Sequence, residues 1–185
     1  MTSEQPPRLK RPVSDEDWAR GPLGAVTLVE YMDYQCPFCQ AAHPVIERVL
    51  KALEPRVRFV VRPFPVFSLH PRAEKAALAA EAAGRQGKFW EMHQRLFEAR
   101  GALGDDDLSR YARELGLEAD RFQRDMKDPA LLEKIKREKM LGVRSGVNGT
   151  PTLYINEVRY EGEVGPDHEA ELRAAILAEL NKGER

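Results

Sequence analysis

Tyr34-Gln35-Cys36-Pro37-Phe38-Cys39 contains the only two cysteines in 185 residues. Just before it, Ala25-Val26-Thr27-Leu28-Val29-Glu30-Tyr31-Met32 is rich in β-branched and aromatic residues. Apart from Thr27 and Glu30 it is apolar on both alternating faces, the pattern of a strand covered on both sides. Just after it, Ala41, Ala42, Val45, Ile46, Val49, Leu50 and Leu53 fall on one face of a helix. Pro44 should kink that helix and Pro55 should stop it. Val57-Arg58-Phe59-Val60-Val61-Arg62-Pro63-Phe64 reads as a second strand, ended by prolines. Strand, helix and strand in this order predict a right-handed crossover with parallel strands.

Outward from this unit the pattern is helical. Ala73, Ala76, Ala77 and Ala80 form one stripe, with Gly84 and Gly87 as stops, and Phe89, His93, Leu96 and Phe97 form the next. Asp105 or Asp106 can cap a helix that carries Leu108, Tyr111, Ala112 and Leu115. Pro129 suits the first turn of a longer helix with Leu132, Ile135, Met140 and Val143 expected to face inward. The period returns to two at Thr152-Leu153-Tyr154-Ile155, and Asn156-Glu157 can turn the chain back through Val158-Arg159-Tyr160. Pro166-Asp167 should start the last helix, with Leu172, Ala175, Ile176 and Leu180 on one face. At the other end, Ser14 can cap a short helical turn through Trp18, closed by Gly21-Pro22.

Composition narrows the function classes. A net charge of -1, with 42% hydrophobic and 32% charged residues, gives no reason to expect nucleic acid or an anionic membrane as partner. No run of residues is apolar enough to cross a bilayer. The N-terminal residues include basic ones but no apolar stretch follows, and two cysteines make no structural disulfide framework. Both points lead to the expectation of a cytoplasmic protein, or of a periplasmic or extracellular one if a leader has been removed.

The two cysteines have distinct expected roles. Cys36 lies where a strand gives way to a helix, and unpaired backbone N–H groups with the positive end of the helix dipole favour a thiolate there. The thiolate is the nucleophile. Pro37 fits the first helical position, since its missing N–H costs nothing at that point. Cys39, one turn deeper, should be the resolving thiol that releases a mixed disulfide. Pro151, which follows a glycine-rich turn, can be an ordinary trans residue at a strand edge or a cis residue. The cis form would leave the backbone of Thr150 free to pair with another chain. Glu30 is unusual for a central strand: either its pKa is raised, as a general acid or base for Cys39 would need, or it pairs with a cation such as Arg58. His43, one turn past Cys39, can tune Cys36 or join a zinc site, but no second ligand pair follows to complete four ligands, so no metal is expected.

Three matches carry a resemblance: Val29-Glu30-Tyr31 upstream of the cysteines, Cys36-Pro37-Phe38-Cys39, and Gly146-Val147-Asn148-Gly149-Thr150-Pro151-Thr152. Together with the helical block they make the chain resemble the DsbA-like branch of the thioredoxin-fold thiol-disulfide oxidoreductases. The resemblance implies an α/β fold with a βαβ…ββα core at 21–67 and 148–185 and an all-helical insertion at 68–147; ahead of it, the polar, proline-rich composition of the N-terminus leads to the expectation of a mobile tail at 1–20. The resemblance also implies that Pro151 is the cis-proline beside the dithiol, that the Thr150 backbone pairs with substrate, and that Glu30 relays protons. Strongly oxidising members carry histidine where Phe38 stands. Phe38 cannot donate a hydrogen bond or a charge, so a Cys36 pKa nearer about 7 than about 3.5 is expected.

The function expected is disulfide exchange with protein thiols or glutathione-like small thiols, with no cofactor beyond the Cys36–Cys39 dithiol itself. Cys36, Cys39 and Glu30 are the candidate catalytic residues, and Pro37, Phe38, Thr150 and Pro151 the candidate substrate contacts. Phe38, Phe64 and Phe67 are candidates for an apolar surface near the site. The competing reading is a peptide-binding or chaperone-like module in which the dithiol serves only as a redox-sensitive latch.

Overall fold

The computed structural model describes residues 6–183. Five strands form one mixed sheet in the order β1-β3-β2-β4-β5. β2 (Val26–Met32) is central and runs parallel to β3 (Val57–Pro63), as the crossover through α1 (Pro37–Leu53) requires. β4 (Thr152–Ile155) lies antiparallel on the other side of β2, and β5 (Val158–Arg159) returns from it. Asn156 and Glu157 make that turn with positive φ. Between β3 and β4 the chain is helical: α2 (Ala73–Gly84), α3 (Phe89–Glu98), α4 (Asp105–Glu114), α5 (Ala119–Asp125) and α6 (Pro129–Arg144). α7 (Glu169–Gly183) closes the fold, starting slightly later than Pro166-Asp167 suggests.

Alternation along β2 sorts its side chains between two cores. Leu28 and Met32 join α1, α2, α3 and α7 in the larger one, and Glu30 faces the same way. Val29 and Tyr31 face the smaller core with Val60, Phe64, Val147 and Tyr154. Pro44 lies inside α1, yet the helix continues to Leu53. The proline sits on the exposed side, where the missing N–H bond is tolerated while the buried face stays packed.

Two expectations are corrected here. Residues 1–20 are not a mobile tail over their described part, and Trp18 is not on a helical turn. Leu9 is buried, Arg8 bridges to Val158, and β1 (Trp18–Arg20) pairs antiparallel with β3. The physical cause is Arg62, which is wholly buried on β3. Its guanidinium forks onto Asp17 at 2.8 and 3.0 Å and donates to the carbonyls of Arg11 and Pro12. A buried charge without such partners would cost several kcal/mol, so the segment that satisfies it is held in place. Residues 1–5 lie outside the described part of the chain.

The second correction concerns α6. Met140 and Val143 are about half exposed rather than inward, and Leu131, Ile135, Glu138 and Gly142 face the protein. Glu138 turns in because Arg11 reaches it at 2.8 Å. Gly142 lets the helix lie against Tyr31 and Phe64, since a Cβ there would come within 2.9 Å of both rings. An ion pair and a close approach, rather than the apolar stripe, choose the face.

Candidate active site

The helix that carries the dithiol begins where β2 leaves the sheet. Asp33 starts the turn: its Oδ1 accepts the Gln35 N–H at 2.8 Å and its carbonyl accepts the Cys36 N–H at 3.1 Å. Cys36 is then the N-cap of α1, with extended backbone, and Pro37 occupies the first helical position. No acidic residue stands in the first turn to oppose a thiolate. Both cysteines stand as thiols, Cys36 at 4% exposure and Cys39 at 0%.

The two sulfurs are driven apart in acidity. Cys36 is pulled down to about 5, mainly by the hydrogen bond from the Cys39 thiol. Burial opposes this, while the Thr150 side chain and the N–H groups of Cys39 and Phe38 add to it. Cys39 is pushed well up, by burial first, then by Cys36 and the nearby charge of Glu30. The value of about 5 lies below the roughly 7 expected from Phe38 alone. The donors supplied by Cys39, Thr150 and the helix N-terminus offset the missing histidine.

Thr150 and Pro151 come to the dithiol from the start of β4. The Cys36 thiol donates to the Thr150 carbonyl at 3.3 Å, and the Thr150–Pro151 peptide bond is cis. This contact joins residues 114 positions apart in sequence. Antiparallel pairing of β4 with β2, Thr152 opposite Tyr31, brings the loop there.

Glu30 is fully buried and neither carboxylate oxygen meets a hydrogen-bond donor among the described residues. Its cross-strand partners are Val61 and Leu153, both apolar. Burial, with a smaller contribution from the charge of Glu47, pushes its pKa up to about 8. Arg58 is not its partner, for that guanidinium donates to the Gly21 carbonyl instead.

Other candidates are placed less centrally. Phe38 is 72% and Phe67 43% exposed, whereas Phe64 is buried against Tyr31 and so leaves the expected apolar surface. His43 hydrogen-bonds Gln94 at 2.9 Å and stacks on Phe97, which directs it into the helical block rather than to the cysteines. Among the described residues no group of three or more His, Cys, Asp or Glu is placed to hold a metal ion. Asp33 was not singled out from sequence, although an aspartate two residues before a free backbone N–H is the signature of an Asx turn.

The family model described as thioredoxin matches residues 16–176. The chain belongs to the thioredoxin family. Among solved structures, the thioredoxin-like oxidoreductase of Silicibacter pomeroyi DSS-3 is 32% identical, with a TM-score of 0.79 over 91% of this chain and 94% of that one. The thiol-disulfide exchange protein alpha-DsbA2 of Wolbachia pipientis shares the fold at 24% identity and a TM-score of 0.76, over 88% of this chain and 86% of that one. Among curated proteins, Na(+)/H(+) antiporter NhaA 3 of Salinispora tropica is 41% identical over 165 residues, 89% of this chain and 25% of the antiporter. Na(+)/H(+) antiporter NhaA 1 of Salinispora arenicola is 42% identical over 80% of this chain and 23% of its own length. The thioredoxin-family chain thus spans about a quarter of the length of the curated relatives it matches. No described helix in it is long and apolar enough to cross a membrane.

The split acidity of this thioredoxin-family dithiol gives a measurable expectation. Alkylation of the reduced protein by iodoacetamide should label Cys36 alone at neutral pH, with a rate half-maximal near pH 5. Peptide mapping of the labelled protein over pH 4 to 9 checks it, and a midpoint near the ordinary thiol value of about 8.5 would refute the assigned environment.

Proposed function

We propose that the protein is a thiol–disulfide oxidoreductase that exchanges disulfides with protein thiols or glutathione-like small thiols. The observation that carries this reading is the Cys36 sulfur, held at the N-terminus of α1 against the Thr150 carbonyl and acidified to about 5 while Cys39 is driven the other way. Such an asymmetric pair has a ready nucleophile and a reserved resolving thiol. The chain spans about a quarter of the length of the antiporter relatives, and the chemistry proposed for it is that of the dithiol.

In the reducing direction the Cys36 thiolate attacks one sulfur of a substrate disulfide. A Cys36–substrate disulfide forms, and the other substrate sulfur leaves as a thiolate. Cys39 then loses its proton to the Glu30 carboxylate and attacks the Cys36 sulfur. The second substrate sulfur leaves, and the Cys36–Cys39 disulfide remains. Two electrons have passed from the dithiol to the substrate, and the reverse sequence oxidises a substrate dithiol. Glu30 titrates at about 8, so it can take up and release a proton near neutral pH, and as a far stronger base than an ordinary carboxylate it lessens the uphill loss of the proton from the Cys39 thiol. Extended substrate backbone would lie along Thr150, and Pro37 and Phe38 would contact it from the helix side.

The reduction potential of the Cys36/Cys39 couple tests the proposal. A low thiolate pKa stabilises the dithiol relative to the disulfide. With Cys36 at about 5, between the reference thiols of thioredoxin and DsbA, the couple should fall between their potentials of about -270 and about -120 mV. Equilibration in glutathione buffers followed by quenching and mass measurement reads it. A potential below about -300 mV would mark an inert staple and overturn the reading.

A further inference from the structure

Ahead of β1 the chain runs beside β5 and then over the smaller core. Arg8 bridges to Val158, the Arg159 N–H donates to the Pro7 carbonyl at 2.8 Å, and the Leu9 N–H donates to the Glu157 carbonyl at 2.9 Å. Residues 7–9 thus cover the edge that β5 would otherwise leave open. Leu9 is buried in the smaller core together with Val147, and Arg62 holds the carbonyls of Arg11 and Pro12. The segment is therefore fixed at both ends.

The same segment grips the connection from α6 to β4. The Ser145 hydroxyl accepts the Lys10 N–H at 3.0 Å and donates to the Leu141 carbonyl at 2.8 Å. The Pro7 ring lies so near Gly146 that a Cβ added there would come within 3.1 Å of it. Arg159 joins the two, since its N–H holds Pro7 while its guanidinium donates to the Gly146 carbonyl at 2.7 Å. From this anchored start the connection delivers Thr150, whose carbonyl meets the Cys36 thiol at 3.3 Å. A shift of about 1 Å at Thr150 would end that contact, so a loosely held connection would lose it.

We propose that residues 7–13 are a positioning strap for the dithiol: by fixing Ser145 and Gly146, they hold Thr150 against the Cys36 sulfur. The anchoring of the N-terminal segment thereby sets how reactive Cys36 is, although the strap acts on the sulfur only through Thr150. The consequence for turnover rests on the exchange reaction above, whereas the placement of Thr150 is read on the sulfur itself.

Substitutions in the full-length protein separate positioning from general stability. Leu9→Asn removes the apolar anchor of the strap, and Ser145→Ala removes the acceptor of the Lys10 N–H. Val60→Ala truncates the same core on β3 and serves as the control for lost packing alone. The midpoint of Cys36 alkylation by iodoacetamide should rise from about 5 by about one pH unit in Leu9→Asn and Ser145→Ala, the scale of one lost hydrogen bond to a charged group. It should stay near 5 in Val60→Ala and in Ser145→Thr, which keeps the hydroxyl. Amide hydrogen exchange over residues 146–151 should quicken about tenfold in the first two variants and not in Val60→Ala. At pH 5 their reaction with oxidised glutathione should slow roughly fivefold, as the thiolate fraction falls. Ser145→Ala, the milder change, decides the matter if Leu9→Asn does not fold. A midpoint that stays near 5 in Ser145→Ala, or that rises equally in Val60→Ala, overturns the strap. Wild-type protein that fails to exchange with oxidised glutathione or a peptide disulfide overturns the exchange reaction instead, while the midpoints still decide the strap.

Discussion

Glu30→Leu is expected to stabilise the reduced protein at pH 8 by a few kcal/mol while slowing its disulfide exchange. The carboxyl group is fully buried between Val61 and Leu153 and has no donor among the described residues. Its pKa rises from 4.5 to about 8 on folding. Between those values the native state binds one proton that the unfolded state has released. Stability therefore falls as pH rises through this window, by about 1.4 kcal/mol per pH unit, for a total of roughly 5 kcal/mol by pH 8. Cys36 works in the opposite sense: its folded pKa of about 5 lies below the ordinary thiol value, so it adds stability as pH rises above 5. That contribution is common to both proteins, and the difference between them isolates Glu30. Denaturant unfolding of wild type and Glu30→Leu at pH 5 and pH 8 checks this. The stabilisation should be large at pH 8 and much smaller at pH 5, where the residual cost is that of a neutral polar group left without a partner. Equal stabilisation at the two pH values would mean that Glu30 does not titrate in this window.

The same substitution removes the base proposed for Cys39. Proton transfer by a positioned group contributes about a hundredfold or more, so release of the mixed disulfide should slow on that scale. Formation of the mixed disulfide needs only the Cys36 thiolate and should be nearly unaffected.

The second large effect separates the two thiols. Cys36→Ser should reduce exchange to background, because Cys39 is buried and its thiol is pushed well up. Cys39→Ser should leave the attack intact and stop the reaction at the next step. The protein should then accumulate as a Cys36-linked disulfide with glutathione or a protein thiol, seen by mass measurement and lost on reduction. Cys39→Ala should do the same, but with Cys36 less acidic, since the Cys39 thiol is the largest cause of its lowered pKa. A Cys39→Ser protein that still turns over would place the resolving thiol on the substrate and remove Cys39 from the mechanism.

The parts of the site legible in sequence were those set by local rules. Cys36 at a strand-to-helix boundary, Pro37 at the first helical position and Cys39 one turn deeper follow from spacing alone, and each stands where that spacing predicts. The oddness of Glu30 was also visible, because an acid in an apolar strand has a cost wherever the strand lies. Its lack of a partner was not, since Arg58 is spoken for by the Gly21 carbonyl. The Cys36 acidity was misjudged for a related reason. Phe38 is adjacent in sequence, but the acidity is set first by the Cys39 thiol, which turns toward the Cys36 sulfur, and to a smaller degree by the side chain of Thr150 from the far end of the chain. His43 had the right spacing and the wrong surroundings, since Gln94 and Phe97 occupy it.

By itself, the sequence determined most strands and helices from β2 onward, that β2 and β3 are joined by a helix, and that a cysteine stands where that helix begins. These follow from side-chain periodicity and backbone geometry, which act over a few residues. Only the tertiary structure decided what surrounds them. A wholly buried Arg62 draws residues 11–17 and β1 onto the sheet, where the sequence suggests a loose tail. Asp33 ties the Val66–His70 loop to the Cys36 turn, and β4 carries Thr150 to the sulfur. Each of these is a polar group meeting its partner across a large sequence separation. A buried charge or donor must find a partner somewhere, but periodicity says only that the need exists and not which distant residue meets it.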